Sequence, residues 1–173
     1  GVHWVDHLTP LANPLTAIAV SPHDPRTLYA IVKQSFSIAT LYRTTNGAES
    51  WERIANPPAS GVGLTGIAVD ASDPVVLYIS AANGTQASGV YRSADGGGSW
   101  MLTALRDPTI RVQVDSGNPG RVFSLGSAGV QVSTNGGASW RRIFPGSAGQ
   151  FPLLLAIDPA DSSRLYAALN GAV

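Results

Sequence analysis

The side chains able to do acid–base or ligand chemistry in this 173-residue chain are few: eleven Asp or Glu, eleven Lys or Arg, three His and no Cys. Without Cys there is no thiol nucleophile, disulfide scaffold, zinc ribbon or iron–sulfur centre. His3, His7 and His23 have no thiol partners, so neither a metal site nor a cofactor is expected. Carboxylates offer more, because a glycosidase needs two of them flanking one bond. Seven of the eleven fall inside recurring turn motifs: Asp24, Asp70, Asp73, Asp115, Asp158 and Asp161 in one motif, Asp95 in another. Of the rest, Glu49 and Glu52 read as solvated, and only Asp6 and Asp107 stay as weak catalytic candidates. No residue is assigned a catalytic role.

Among the arginines, Arg43 and Arg92 share one repeat position and Arg121 and Arg164 another, which reads as structural. Arg111 differs, because it stands on an innermost strand where the other copies have Ala17, Gly66 and Leu154. An arginine there can point into a central channel. The ligand-binding candidates are Arg111 and the loop residues Phe36, Arg106 and Phe151. Gly61-Val-Gly63-Leu-Thr-Gly66 fits G-x-G-x-x-G, but it opens a strand rather than a helix, so the dinucleotide reading fails. Asn83-Gly-Thr85 is a formal glycosylation sequon, relevant only in a eukaryotic source. A formal net charge of zero argues against a nucleic-acid partner. The longest apolar run, Phe151 to Ile157, is interrupted by Pro152 and is too short to insert into a membrane.

The elements that must hold these residues are set by two interleaved repeats. Thr44-Thr-Asn46-Gly47-Ala-Glu-Ser50-Trp51 returns as Ser93-Ala-Asp95-Gly96-Gly-Gly-Ser99-Trp100 and as Ser133-Thr-Asn135-Gly136-Gly-Ala-Ser139-Trp140. A second motif, Ile18-Ala-Val-Ser-Pro-His-Asp24-Pro25-Arg-Thr-Leu28-Tyr29, has counterparts ending at Tyr78, Phe123 and Tyr166. Each period reads as four strands, which in the second copy are Leu64–Val69, Val76–Ser80, Gly89–Ser93 and Trp100–Ala104. Four short strands repeated every 40 to 50 residues are the mark of a β-propeller blade. The expected fold class is an all-β propeller of four-stranded antiparallel blades, with about four repeats present. The expected boundaries are an outer strand at 1–8, blades at 14–56, 63–105 and 108–145, and two strands of a further blade at 152–173.

These motifs resemble the Asp-box, or BNR, repeat of β-propellers. That family includes sialidases, family 74 xyloglucanases, sortilin-type receptor domains and Ycf48-type photosystem assembly factors. The resemblance covers essentially the whole chain and is specific for fold rather than function. It implies structural roles for Thr44, Asn46, Gly47, Trp51, Ser93, Asp95, Gly96, Trp100, Ser133, Asn135, Gly136 and Trp140, on the face away from the binding surface. It also implies a secreted or periplasmic bacterial protein. The Arg-Ile-Pro motif of sialidases is absent. The expected function is a non-catalytic binding or scaffold module. It would recognise a protein or glycan through the loops opposite the Asp boxes: His7–Asn13, Ala55–Gly63, Ala104–Pro108, Phe144–Pro152, Lys33–Ile38, Ala81–Ser88 and Gly126–Gly129. The alternative is a fragment of a glycoside hydrolase of the xyloglucanase or sialidase type.

Aligned on Trp, Gly1-Val-His-Trp4 matches Gly97-Gly-Ser-Trp100, and Asn170-Gly-Ala-Val173 matches Ala87-Ser-Gly-Val90. This phase predicts either a piece of a longer propeller or blades that close by self-association, four in one chain or eight in two.

Overall fold

A computed structural model describes residues 14–34, 39–54, 63–82, 87–146 and 150–170. Among them there are strands and turns and no helix. The first sheet pairs β1 (Leu15–Val20), β2 (Leu28–Lys33), β3 (Ala39–Thr44) and β4 (Glu52–Arg53) in that order. The second pairs β5 (Leu64–Val69), β6 (Leu77–Ala81), β7 (Gly89–Ser93) and β8 (Met101–Leu102). The third pairs β9 (Thr109–Val114), β10 (Val122–Gly126), β11 (Gly129–Ser133) and β12 (Arg141–Pro145). The fourth holds β13 (Pro152–Ile157) and β14 (Leu165–Leu169). Every pairing is antiparallel. The expected outer strand Trp4–Leu8 and candidates Asp6 and Phe36 lie outside the described residues.

Strand formation follows from side chains that fit a pleated, covered surface: Val, Ile, Leu and Tyr dominate β2, β5, β6 and β10. Burial on both faces explains why these strands carry apolar side chains on both sides rather than in strict alternation. Successive sheets stack face to face. Tyr29, Ile31 and Leu41 of the first meet Ile67, Val69, Leu77, Ile79 and Tyr91 of the second. Ala68, Tyr78 and Val90 meet Val112 and Val122. Phe123, Leu125, Val130 and Val132 meet Leu155, Ile157 and Leu165.

Between the first two strands of each sheet, an Asp or Asn before Pro or Ser closes a tight turn. Its carbonyl accepts from the amide three residues on, at 2.9–3.1 Å in the four copies. The carboxylates cap these turns. Asp24 accepts from the Arg26 amide, Asp70 from Ser72, Asp73 from Val75, Asp158 from Ala160 and Asp161 from Ser163.

The Trp-bearing turns between third and fourth strands share one hydrogen-bond pattern. Thr44, Ser93 and Ser133 donate their hydroxyls to Asn46, Asp95 and Asn135 at 2.8, 2.7 and 3.0 Å. Those side chains in turn accept from the amides of Ser50, Ser99 and Ser139 at 3.1, 2.9 and 2.9 Å. The following glycines, Gly47, Gly96 and Gly136, take φ of 74°, 69° and 67°. The amides of these glycines donate to the neighbouring Asp-Pro-type turn, so both turns of a sheet brace each other.

The first copy departs from the pattern. Trp100 and Trp140 donate their indole N–H to the carbonyls of Gly97 and Gly137, each at 3.1 Å. At the corresponding position stands Ala48, forced to φ 73°, and the buried Trp51 Nε1 has no partner. A side chain in left-handed backbone is strained by about 1 kcal/mol. Ala48→Gly is therefore expected to stabilise the protein by about 0.5–1 kcal/mol and to raise Tm by about 2–4 °C. A thermal melt showing an unchanged or lower Tm would count against this account of the turn.

Asp95 is the one carboxylate at the Asn/Asp position of these three turns. Hydrogen bonds from the Ser99 hydroxyl, the Ser99 amide and the Ser93 hydroxyl hold its pKa down at about 2, against an ordinary 3.8. A folded-state pKa below the unfolded one adds stability that is fully present above about 3.8 and lost as pH falls through about 2. Asn in the other two copies keeps the acceptor and donates through Nδ2 to Ser50 and Ser139, at 2.8 and 2.9 Å. Asp95→Asn should keep the fold at neutral pH and flatten the loss of stability between about pH 4 and pH 2. Acid titration followed by circular dichroism checks this, and superimposable curves for the two proteins would refute it.

Candidate functional site

Antiparallel order fixes two ends of the stack. The Asp-Pro-type and Trp-bearing turns gather at one end, and the starts of β5, β9 and β13 lie at the other. The innermost strands β1, β5 and β9 lie side by side, and a groove of about 300 Å³ opens over them. It is lined by Thr16, Ala17 and Ile18, Thr65, Gly66 and Ile67, and Arg111, Val112 and Gln113. Arg111 is exposed there and is the one charged residue in the lining.

The inner strands are shaped for this. The β1–β2, β5–β6, β9–β10 and β13–β14 pairings each slip register at the same repeat position, around Thr16, Thr65, Ile110 and Leu153. Such bulges bend a strand and re-aim its side chains. The Thr65 hydroxyl donates to the Thr109 carbonyl at 2.7 Å, tying β5 to β9 beside Arg111. Gly66 lets the strands close up, since a Cβ there would lie 2.7 Å from Ser80 Oγ and 3.4 Å from the Arg111 Cα.

The other sequence candidates do not converge on the groove. Asp107 accepts from Gln131 Nε2 at 2.8 Å, in the loop before β9. Arg106 is exposed in the same loop, where its charge offsets some of the burial that pushes the Tyr91 phenol up. Phe151 is half-buried, and its backbone exchanges hydrogen bonds with Asn170 at the end of β13–β14. Glu52 is held by Arg43, whose Nε donates at 2.7 Å, while Glu49 lies exposed in its turn. Among the described residues no group of three or more His, Asp or Glu could hold a metal ion.

Two features escaped sequence reasoning. One is the set of bulges. The other is a clamp between the third and fourth sheets. Asp115 is buried; burial pushes its carboxyl up, but hydrogen bonds from the Gly117 amide, Asn118 and Arg121 outweigh that and lower it. Arg121 Nη1 then donates to the Ser162 carbonyl at 2.8 Å, 41 residues away. Arg121 shares its repeat position with Arg164, as the sequence shows, but nothing local signals its reach into the next sheet. A further crevice of about 400 Å³ lies between β8 and the third Trp-bearing turn, lined by Arg92, Met101, Thr103 and Asn135 among others. Arg92 is engaged there with the Tyr78 phenol.

No protein-family model matches the chain, and neither does any curated protein. Solved structures do. A GH74 xyloglucanase from Xanthomonas campestris superposes with a TM-score of 0.66 at 22% identity, covering 82% of this chain and 25% of that one. A GH74 enzyme of Niastella koreensis gives 0.67 at 21% identity, over 90% of this chain and 26% of that one. YCF48 bound to a D1 peptide gives 0.61 at 17% identity, over 88% and 48%. The fold is thus an all-β propeller of four-stranded antiparallel blades. The chain spans about a quarter of the GH74 enzymes and about half of YCF48.

Proposed function

We propose that this chain is part of an Asp-box propeller that binds rather than cleaves its partner, with Arg111 at the centre of the binding surface. The observation that carries this reading is an exposed guanidinium on an inner strand, set among the neutral polar groups Thr16, Thr65 and Gln113. A guanidinium presented from a bulged strand recognises a carboxylate in two-pronged geometry. The partner is accordingly a glycan or peptide that offers a carboxylate. The use to which the chain puts its own acids supports this. Asp115 and Asp107 are engaged by Arg121 and Gln131, and the other turn acids cap turns. The neighbours' names carry both kinds of partner, a peptide for YCF48 and a glycan for xyloglucanase. On the Asp-box resemblance, the chain works in a secreted or periplasmic setting.

The test pairs binding with turnover. Oligogalacturonate, neutral xyloglucan oligosaccharide and an acidic peptide are titrated into the protein, and reporter glycosides are incubated with it. Saturable binding of an acidic probe without turnover is the expected result. Sustained hydrolysis of a reporter glycoside would overturn the binding reading in favour of a glycoside hydrolase.

A further inference from the structure

We propose that the crevice between the second and third blades is a further binding site, beside the outer strand β8 and away from Arg111, for an organic acid whose carboxylate pairs with Arg92. The preceding blade shows what this position is built to hold. Arg43 and Glu52 stand opposite each other on β3 and β4, and Arg43 Nε donates to the Glu52 carboxylate at 2.7 Å. Arg43 also reaches the Tyr29 phenol and lies against Gly96 of the next Trp-bearing turn, 3.8 Å from where a Cβ would sit. One blade on, each part of this cluster returns except the acid. Arg92 reaches the Tyr78 phenol and lies against Gly136, again 3.8 Å from an added Cβ. Opposite Arg92 on β8 stands Met101. Among the described residues no carboxylate pairs with Arg92.

The walls around Arg92 define the rest of the ligand. In the crevice of about 400 Å³, Arg92 is the one charged side chain. Met101, Leu102 and Ala104 give it an apolar wall, and Met101 is 71% exposed, so that wall is open to solvent. Thr103 stands where the first blade has Ile54 and brings a hydroxyl into the lining. A half-buried guanidinium beside apolar carbons is less screened than one in open water, and its planar fork matches a carboxylate. The ligand is therefore a single carboxylate carried on a short apolar body. Both blades that form the crevice have all four strands.

An amide NMR titration of the chain tests this, with hexanoate, neutral hexanamide and the peptide acetyl-Glu-Leu-amide, each up to about 20 mM. Saturable shifts of the Arg92, Thr103 and Gly137 amides with an acid, and none with hexanamide, are expected. A stronger response to hexanoate would mark a free acid as the occupant, and a stronger response to the peptide an acidic side chain of a partner. Arg92→Gln should weaken binding of the acid by about tenfold or more. Met101→Glu supplies the carboxylate that Glu52 supplies one blade earlier, so it should block binding as strongly while melting no lower than the parent. An unsaturated response of the parent, unchanged affinity in either variant, or an equal response to hexanamide would overturn the proposal. Shifts confined to Thr65 and Arg111 would also overturn it, while leaving the inner-strand groove as the binding site.

Discussion

Phe123→Ala is expected to destabilise the protein by about 3–5 kcal/mol, the range for emptying a buried aromatic site. Phe123 is fully buried between the third and fourth blades, among Leu125, Val130 and Val132 on its own sheet and Leu155, Ile157 and Leu165 on the next. The ring also lies under the Arg121 guanidinium, 5.0 Å from its centroid, and that guanidinium holds Ser162. Truncation therefore removes packing and loosens a cation–π contact at one interface, and β13–β14 should detach first. A drop in Tm of about 10 °C is expected, while Met101→Ala at an exposed position should change stability by less than about 0.5 kcal/mol. Hydrogen exchange would show β13–β14 opening ahead of β5–β8. A Phe123→Ala loss below about 1 kcal/mol would mean that the blade interface is not organised around this ring.

Gly129→Ala should be nearly as damaging. Gly129 opens β11 at φ 99°, and a Cβ there would sit 2.0 Å from the Phe144 carbonyl oxygen and 2.5 Å from the Gly146 amide nitrogen. Both obstacles are backbone, so relief requires separating β11 from β12. Left-handed strain of about 1–2 kcal/mol adds to that clash, for a total of about 3 kcal/mol or more. Gly47→Ala isolates the strain term, because its φ is 74° and nothing lies within 4 Å of the added Cβ. Denaturant unfolding of the two variants should separate them by about 2 kcal/mol, and equal losses would remove the clash from the explanation.

The parts of the fold readable in the sequence are those with local causes. β5 and β7 fall on the expected bounds because apolar runs and turn glycines delimit them. β6 lies one residue later than expected, at Leu77–Ala81. The outer strand of the second blade is Met101–Leu102 rather than Trp100–Ala104: Leu102 and Met101 pair with Tyr91 and Arg92, the Thr103 amide still reaches the Val90 carbonyl, and Leu105 turns inward to the core. Arg111 was legible because a charge interrupts a column otherwise filled by Ala, Gly and Leu. The unpaired Trp51 was legible in principle from Ala48 standing where two copies have Gly. The bulges, the Gln131–Asp107 bond and the Arg121–Ser162 clamp were not, since each depends on register or on partners distant along the chain.

The claim that Arg111 heads a ligand groove has a direct test in the affinity of the chain and of Arg111→Gln for oligogalacturonate and for an acidic peptide, by isothermal titration. Arg111 is exposed and has few structural obligations, so the variant should melt as the parent does. A charge-assisted hydrogen bond lost from the groove lowers affinity by about tenfold to a hundredfold. That loss, at unchanged Tm, is the predicted result. Equal affinity of the two proteins, or no saturable binding of either probe by the parent, would contradict it.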